Sequence, residues 1–174
     1  KDCSNLGSVT IPNSVTRIGS MAFEGCTSLA SVSIPNSVTY IDGCAFRACT
    51  SLVTFVIPDS VTGIGGEVFN GCTNLATVKI GNGITNIADW AFVDCSKLAD
   101  IQVPSRVRHI GLGAFRGCRS LTSVALPDEL SSIGGMAFDG CISLVNLTIP
   151  KGVTHIEDCA FRGCASLPSV RIPD

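Results

Sequence analysis

Phenylalanine returns every 23 residues along this chain, as Phe23, Phe46, Phe69, Phe92, Phe115, Phe138 and Phe161. Cysteine keeps the same period from Cys3 to Cys164, and a leucine follows each of these cysteines three residues later, from Leu6 to Leu167. No insertion or deletion breaks the register, and the 174 residues hold about seven and a half units. So short and strict a period excludes most globular architectures. One unit cannot bury its own apolar side, so successive units must stack and share a core.

Within a unit, Leu29-x-x-Val32-x-Ile34 alternates apolar and polar residues at its end, the signature of a strand with one buried face. Pro35 removes a backbone donor and ends that strand. Val38-Thr39-x-Ile41 alternates again, with β-branched residues, and predicts a second short strand. Ala22-Phe23-x-Gly25-Cys26 reads as one helical turn with Gly25 as its left-handed C-terminal cap. The unit is too short for two helices, and strands one period apart run parallel with right-handed connections. The expected fold is a right-handed solenoid of 23-residue coils, with a parallel β-sheet on one face and short helical turns on the other. Ala22, Phe23, Cys26, Leu29, Val32, Ile34, Val38 and Ile41, with their periodic counterparts, form its interior. Phe55 stands in the column that holds Val32.

Hydrophobic residues make up 45% and charged residues 15%, with 12 Lys and Arg against 14 Asp and Glu for a net charge of -2. That balance speaks against a nucleic-acid binder, which is normally basic. No apolar run reaches the ~20 residues of a membrane helix, so membrane insertion is not expected. The apolar content is too high for disorder. Lys1-Asp2-Cys3-Ser4 is not followed by the apolar stretch of a signal peptide. The first coil starts at Cys3 and the last stops at Ile172-Pro173-Asp174, without the polar capping units that repeat arrays normally carry. The chain reads as a single repeat domain over 1–174, either a segment of a larger parent or a minimal member. Uncapped end coils leave end-to-end self-association open.

Eight of the ten cysteines form one column of the repeat. Stacked equivalents have parallel Cβ vectors, which suit a disulfide poorly, and free cysteine packs as a small hydrophobe. Cys44 and Cys159 share another column five repeats apart, ~24 Å, too far to pair. Many unpaired thiols point to a reducing or anaerobic setting. No C-x-x-C or zinc spacing is present, and no metal or other cofactor is expected. His109 and His155 occupy one column two repeats apart and read as surface residues. No nucleophile, base and carboxylate recur together, so the chain is not read as an enzyme. Lys97, Arg106, Arg108, Arg116 and Arg119 form a basic cluster with no stacking aromatic but Trp90, and read as a solvated face rather than a nucleic-acid or sulfated-glycan site. Trp90 and Tyr40 are candidate contact residues.

The unit C-x-x-L-x-x-V-x-I-P-x-x-V-x-x-I-x-x-x-A-F-x-G-C closely resembles the leucine-rich repeats of the BspA-like, or treponemal, class, over essentially the whole chain. It departs from that pattern at Gly81 for Pro, Val68 for Ala, and Ala48 and Asp94 for Gly. Members of that class are often cell-surface proteins of bacteria and of anaerobic or parasitic protists. The resemblance implies a leucine-rich-repeat stack, surface-exposed or secreted, that serves adhesion or protein binding.

The outward strand columns vary while the inward ones hardly do, which places recognition of a protein or surface glycan on the strand face. Its centre is Lys79, Asp100 and Gln102, flanked by Thr54, Thr77, Ser123, Asn146 and Thr148. The competing reading is a structural spacer within a larger protein, which would need no such variation. An ice-binding rank of Thr16, Thr39, Thr62 and Thr85 is broken by Arg108 and Ser131.

Overall fold

A computed structural model describes residues 1–172; Pro173 and Asp174, where the sequence array stops, lie outside the described residues. Two parallel ladders run along the stack. The first contains β1 (Ser8–Thr10), β3 (Ser31–Ser33), β5 (Thr54–Ile57), β7 (Thr77–Ile80), β9 (Asp100–Gln102) and β11 (Ser123–Ala125). The second contains β2 (Arg17–Ile18), β4 (Tyr40–Ile41), β6 (Gly63–Ile64), β8 (Asn86–Ile87), β10 (His109–Ile110), β12 (Ser132–Ile133) and β13 (His155–Ile156). Every pairing is parallel and joins residues 23 apart, as in Val9↔Val32 and Ile110↔Ile133. Single bridges at Ser123↔Asn146 and Thr148↔Arg171 carry the first ladder into the last coils. The protein is thus a parallel β-solenoid whose coil is the 23-residue period.

Each ladder is interrupted once, the first between β3 and β5 and the second between β6 and β8. The first interruption coincides with Phe55, which brings a ring into a column otherwise holding Val, Ile or Leu. That ring is 2% exposed and meets Phe46 and Phe69 edge-on, with centroids 4.9 and 4.7 Å away. The second coincides with Gly83, where a Cβ would lie 2.4 Å from the carbonyl oxygens of Asp59 and Val61. Only a residue without a side chain allows so close an approach between coils.

The expected helical turn is not a helix. The N–H groups of Ala22, Glu24, Cys26 and Leu29 donate to carbonyls three residues back, at 3.0–3.2 Å. Between them, Met21, Phe23 and Gly25 donate to Gly43, Ala45 and Arg47 of the next coil, at 2.8–3.1 Å. A helix would turn every N–H onto its own carbonyls and leave none for the neighbouring coil. The arc is instead a chain of tight turns alternating with inter-coil bonds, and it forms a third ladder. Two columns accordingly take positive φ, as the third residue of a type II turn must. One runs Met21, Cys44, Glu67, Trp90, Gly113, Met136 and Cys159 at 55–60°. The other runs Asp2, Gly25, Ala48, Gly71, Asp94, Gly117, Gly140 and Gly163 at 54–75°. Gly25 is therefore left-handed as expected, but in a turn rather than at a helix end.

The predicted interior columns do line the core. Seven phenylalanine rings stack with centroids 5.2–5.8 Å apart and planes within 3–15°. From Phe46 to Phe138 they are fully buried, whereas Phe23 and Phe161 in the outer coils are half-buried. All ten cysteines are unpaired. In the repeat column each thiol donates to the carbonyl of the phenylalanine 26 residues earlier, from Cys49–Phe23 to Cys164–Phe138, at 3.1–3.2 Å. The column thus satisfies a buried acceptor as well as filling volume. Burial, then the neighbouring thiols, push Cys49 and Cys141 up to about 12 and Cys95 and Cys118 far above the ordinary thiol range. These thiols stay neutral and unreactive at physiological pH.

Candidate functional site

The ladder pattern turns every second residue of the first sheet outward. Thr54, Thr77, Asp100, Ser123 and Asn146 form one outward rank, exposed except for the half-buried Ser123 and joined by the register Thr54↔Thr77, Thr77↔Asp100, Ser123↔Asp100 and Ser123↔Asn146. Val56, Lys79, Gln102, Ala125 and Thr148 form the rank beside it. Between β7 and β9 the face sinks into a groove of about 540 Å³, lined by Thr77, Lys79, Asp100 and Gln102, with Asn82 and Ser105 on its rim. A smaller depression of about 350 Å³ continues over Asp100 and Ser123 to Asn146 and Thr148. Thr54 belongs to the same rank but lines neither hollow.

Lys79 and Asp100 are both exposed, and neither takes part in any of the six ion pairs among the described residues. Asp100 accepts one long hydrogen bond from the Ser123 hydroxyl, at 3.4 Å. The groove thus presents one positive and one negative charge that the fold itself does not neutralise. Asn82 and Ser105 escape a reading based on strand alternation, because they lie in the turn after the strand. The signal for them was the polar column Asn13, Asn36, Asp59, Asn82, Ser105 and Asp128.

The two aromatic candidates lie elsewhere and have structural partners. Trp90 is half-buried on the turn side and covers Gly113, where a Cβ would fall 2.1 Å from the indole. Tyr40, on the second ladder, covers Gly63 in the same way and carries the Arg17 guanidinium 4.9 Å above its ring centroid. Each aromatic fills the space left by a glycine one coil further on. The threonine rank that begins at Thr16 is also engaged: Thr39 and Thr62 donate their hydroxyls to the carbonyls of Thr16 and Thr39, both at 3.2 Å.

The basic cluster is split by the fold. Arg116 pairs with Asp139 at 3.2 Å, and Arg162 grips the same carboxylate at 2.6 and 2.9 Å. Asp139 is 8% exposed, and the Arg162 hydrogen bond, then the charge of both guanidiniums, holds its carboxyl below the usual range. This inter-coil brace was visible in the sequence as opposite charges 23 residues apart. Among the described residues no three His, Cys, Asp or Glu side chains converge as metal ligands, and no helix is long and apolar enough to cross a membrane.

The sequence model of the BspA-type leucine-rich repeat region matches residues 1–122 and 108–174, with six copies. The chain belongs to that family. BspA-type repeat proteins are typical of bacterial surfaces and of binding scaffolds, and are generally non-enzymatic. The chain is similar to a leucine-rich repeat protein of Bacteroides ovatus, 31% identical with a TM-score of 0.93 over 100% of this chain and 45% of that one. It is similar to a leucine-rich cell surface protein of Faecalibacterium prausnitzii, 32% identical with a TM-score of 0.60 over 97% and 54%. It is also similar to the leucine-rich repeat protein of T. pallidum, 30% identical with a TM-score of 0.53 over 96% and 59%. The chain therefore spans about half the length of these relatives. No curated protein matches it.

Proposed function

We propose that this BspA-type repeat chain is a non-enzymatic binding module that engages a protein or surface glycan through its first-ladder face, and that residues 1–174 act as one repeat domain. The observation that carries this reading is the groove lined by both Lys79 and Asp100, neither of which takes part in an ion pair among the described residues. Gln102 and Thr77 complete its floor, and Ser123, Asn146 and Thr148 extend it. Thr54 offers a small side chain over which a partner can approach the backbone. A rigid stack holds these groups in place before the partner arrives, which lowers the ordering cost of association. The cell-surface description of the F. prausnitzii relative supports placement outside the cell.

The test is the triple variant K79A/D100A/Q102A. Surface changes of this kind cost within ~0.5 kcal/mol each, so its thermal melt should stay close to that of the parent. Its affinity for a partner captured by the parent chain should fall by at least about tenfold, the loss of one charge-assisted contact. Undiminished binding by the triple variant would refute the assignment. Failure of the parent chain to capture any surface protein or glycan would favour the spacer.

A further inference from the structure

The second ladder carries a cleft that the strand-face reading leaves unused. The segment leading into β10 is Pro104-Ser105-Arg106-Val107-Arg108. Val107 is buried and closes a tight turn onto the Pro104 carbonyl at 3.0 Å, while Arg106 in that turn, Arg108 after it and His109 at the start of β10 are exposed and line one cleft. In the adjacent coils Gly83 and Glu129 stand in the place of Arg106, and Thr85 and Ser131 in that of Arg108. The basic character belongs to this one coil. The three side chains, with Thr85, Asn86 and Ser105, line an open cleft of about 790 Å³ whose far wall is Glu129.

Two features make the cleft different from the braces on the turn side. Arg106 takes part in none of the six ion pairs among the described residues, and the only carboxylate near Arg108 is Glu129, at 3.9 Å with both side chains about two-thirds exposed. Its imidazole is also oriented. Nδ1 of His109 lies 2.8 Å from the Ser132 hydroxyl and 3.3 Å from that of Ser131, which itself donates to the Arg108 carbonyl at 2.9 Å. These contacts fix the ring and leave Nε2 without a partner among the described residues.

A guanidinium outside the ion pairs of the described residues, Arg106, beside one held only by a long, solvent-exposed pair, Arg108 with Glu129, offers planar forks that recognise a sulfate or carboxylate. The neutral groups around them, two hydroxyls and an amide, suit sugar hydroxyls. A nucleic acid fits less well. Its closely spaced phosphates call for a continuous basic track, and Asp128 and Glu129 stand in the next coil. Its bases call for aromatic platforms, and Tyr40 and Trp90 already cover glycines. We propose that this cleft binds an acidic oligosaccharide, with a sulfate or uronate carboxylate held between Arg106 and Arg108 and sugar hydroxyls on Thr85, Asn86 and Ser105. This site adjoins the groove at Lys79 and shares Ser105 with it, but it uses none of Lys79, Asp100 and Gln102 and stands or falls without them.

The experiment is calorimetric titration of the chain with a κ-carrageenan hexasaccharide, which carries sulfate and no carboxylate, an oligogalacturonate hexamer and a single-stranded hexanucleotide. At low salt at least one of the two glycans should bind, and the comparison between them separates sulfate from carboxylate recognition. Binding should weaken with added salt. R106A/R108A should weaken it about tenfold or more. E129Q should tighten it by removing the opposing charge, and K79A/D100A/Q102A should leave it unchanged. Absence of binding to both glycans, full binding by R106A/R108A, or equally tight binding of the oligonucleotide would each overturn the proposal.

Discussion

Replacing Phe92 by alanine removes the middle of the aromatic column. Its ring is fully buried and stacks on Phe69 and Phe115, each with centroids 5.4 Å away and planes within 14°. Truncating a core phenylalanine costs ~3–5 kcal/mol. Two aromatic pairs are lost at once, each worth ~0.5–1.5 kcal/mol beyond burial, which places Phe92→Ala in the upper half of that range, at ~4–5 kcal/mol. The surroundings cannot close over the cavity, because inter-coil bonds on three sides hold each coil at its spacing. Phe161→Ala is the internal comparison. Phe161 is half-buried and has one stacking neighbour, Phe138, at 5.7 Å. Its loss should cost less than half as much, ~1–2 kcal/mol. Urea denaturation followed by circular dichroism measures both. Since each coil contacts only its neighbours, the central lesion should also broaden or split the transition, as the two flanking halves begin to unfold separately. A loss below ~1 kcal/mol for Phe92→Ala, or equal losses for the two variants, would refute the column argument.

The buried thiols predict alkaline sensitivity. Their stabilisation is complete below ~8.5, where cysteines of the unfolded chain begin to ionise, and is lost as pH rises from there toward the raised folded-state values. Each such thiol costs up to ~1.4 kcal/mol per pH unit in that window, so Tm should fall steeply between ~pH 8.5 and 10.5. Cys95→Ala should show a shallower slope, and a flat profile for the parent would contradict the burial assignment. The left-handed positions predict a gain. Ala48 and Asp94 hold φ of 56° and 54° in a column otherwise mostly glycine. Ala48→Gly and Asp94→Gly should each raise stability by ~0.5–1 kcal/mol in the same denaturation assay. Destabilisation by both would show that the turn geometry does not require that conformation.

The periodicity made the solenoid, its two strand ladders and its interior columns legible, because each rests on apolar residues repeated at one spacing. Phe92 lies between Phe69 and Phe115 as the period requires. The turn arc was misread for a physical reason. Ala22-Phe23-x-Gly25-Cys26 has helical spacing, but the competition between local and inter-coil hydrogen bonds is decided by the neighbouring coil, which no single unit contains. The same non-locality hid the roles of Trp90 and Tyr40, since each is explained by a glycine 23 residues later. On the strand face, the sequence placed Lys79, Asp100 and Gln102 together, and they line one groove. The rim residues Asn82 and Ser105 were missed because they sit in the turn, where alternation carries no information.

The hydrogen bonds between coils have one further consequence. They join residues 22 to 26 positions apart, as in Ser37–Val15, Thr39–Thr16 and Cys49–Phe23. Deleting or duplicating a whole 23-residue block therefore hands every severed bond an equivalent partner, while a shift that is not a multiple of 23 takes the phenylalanine column out of register. Unequal recombination between such similar segments of the gene can lengthen, shorten or reshuffle the array without reinventing its core. The coils behave as tiles, and a groove such as that between β7 and β9 is a property of which two tiles happen to be neighbours. New recognition surfaces can then arise by changing the order of existing coils before any residue within them is altered.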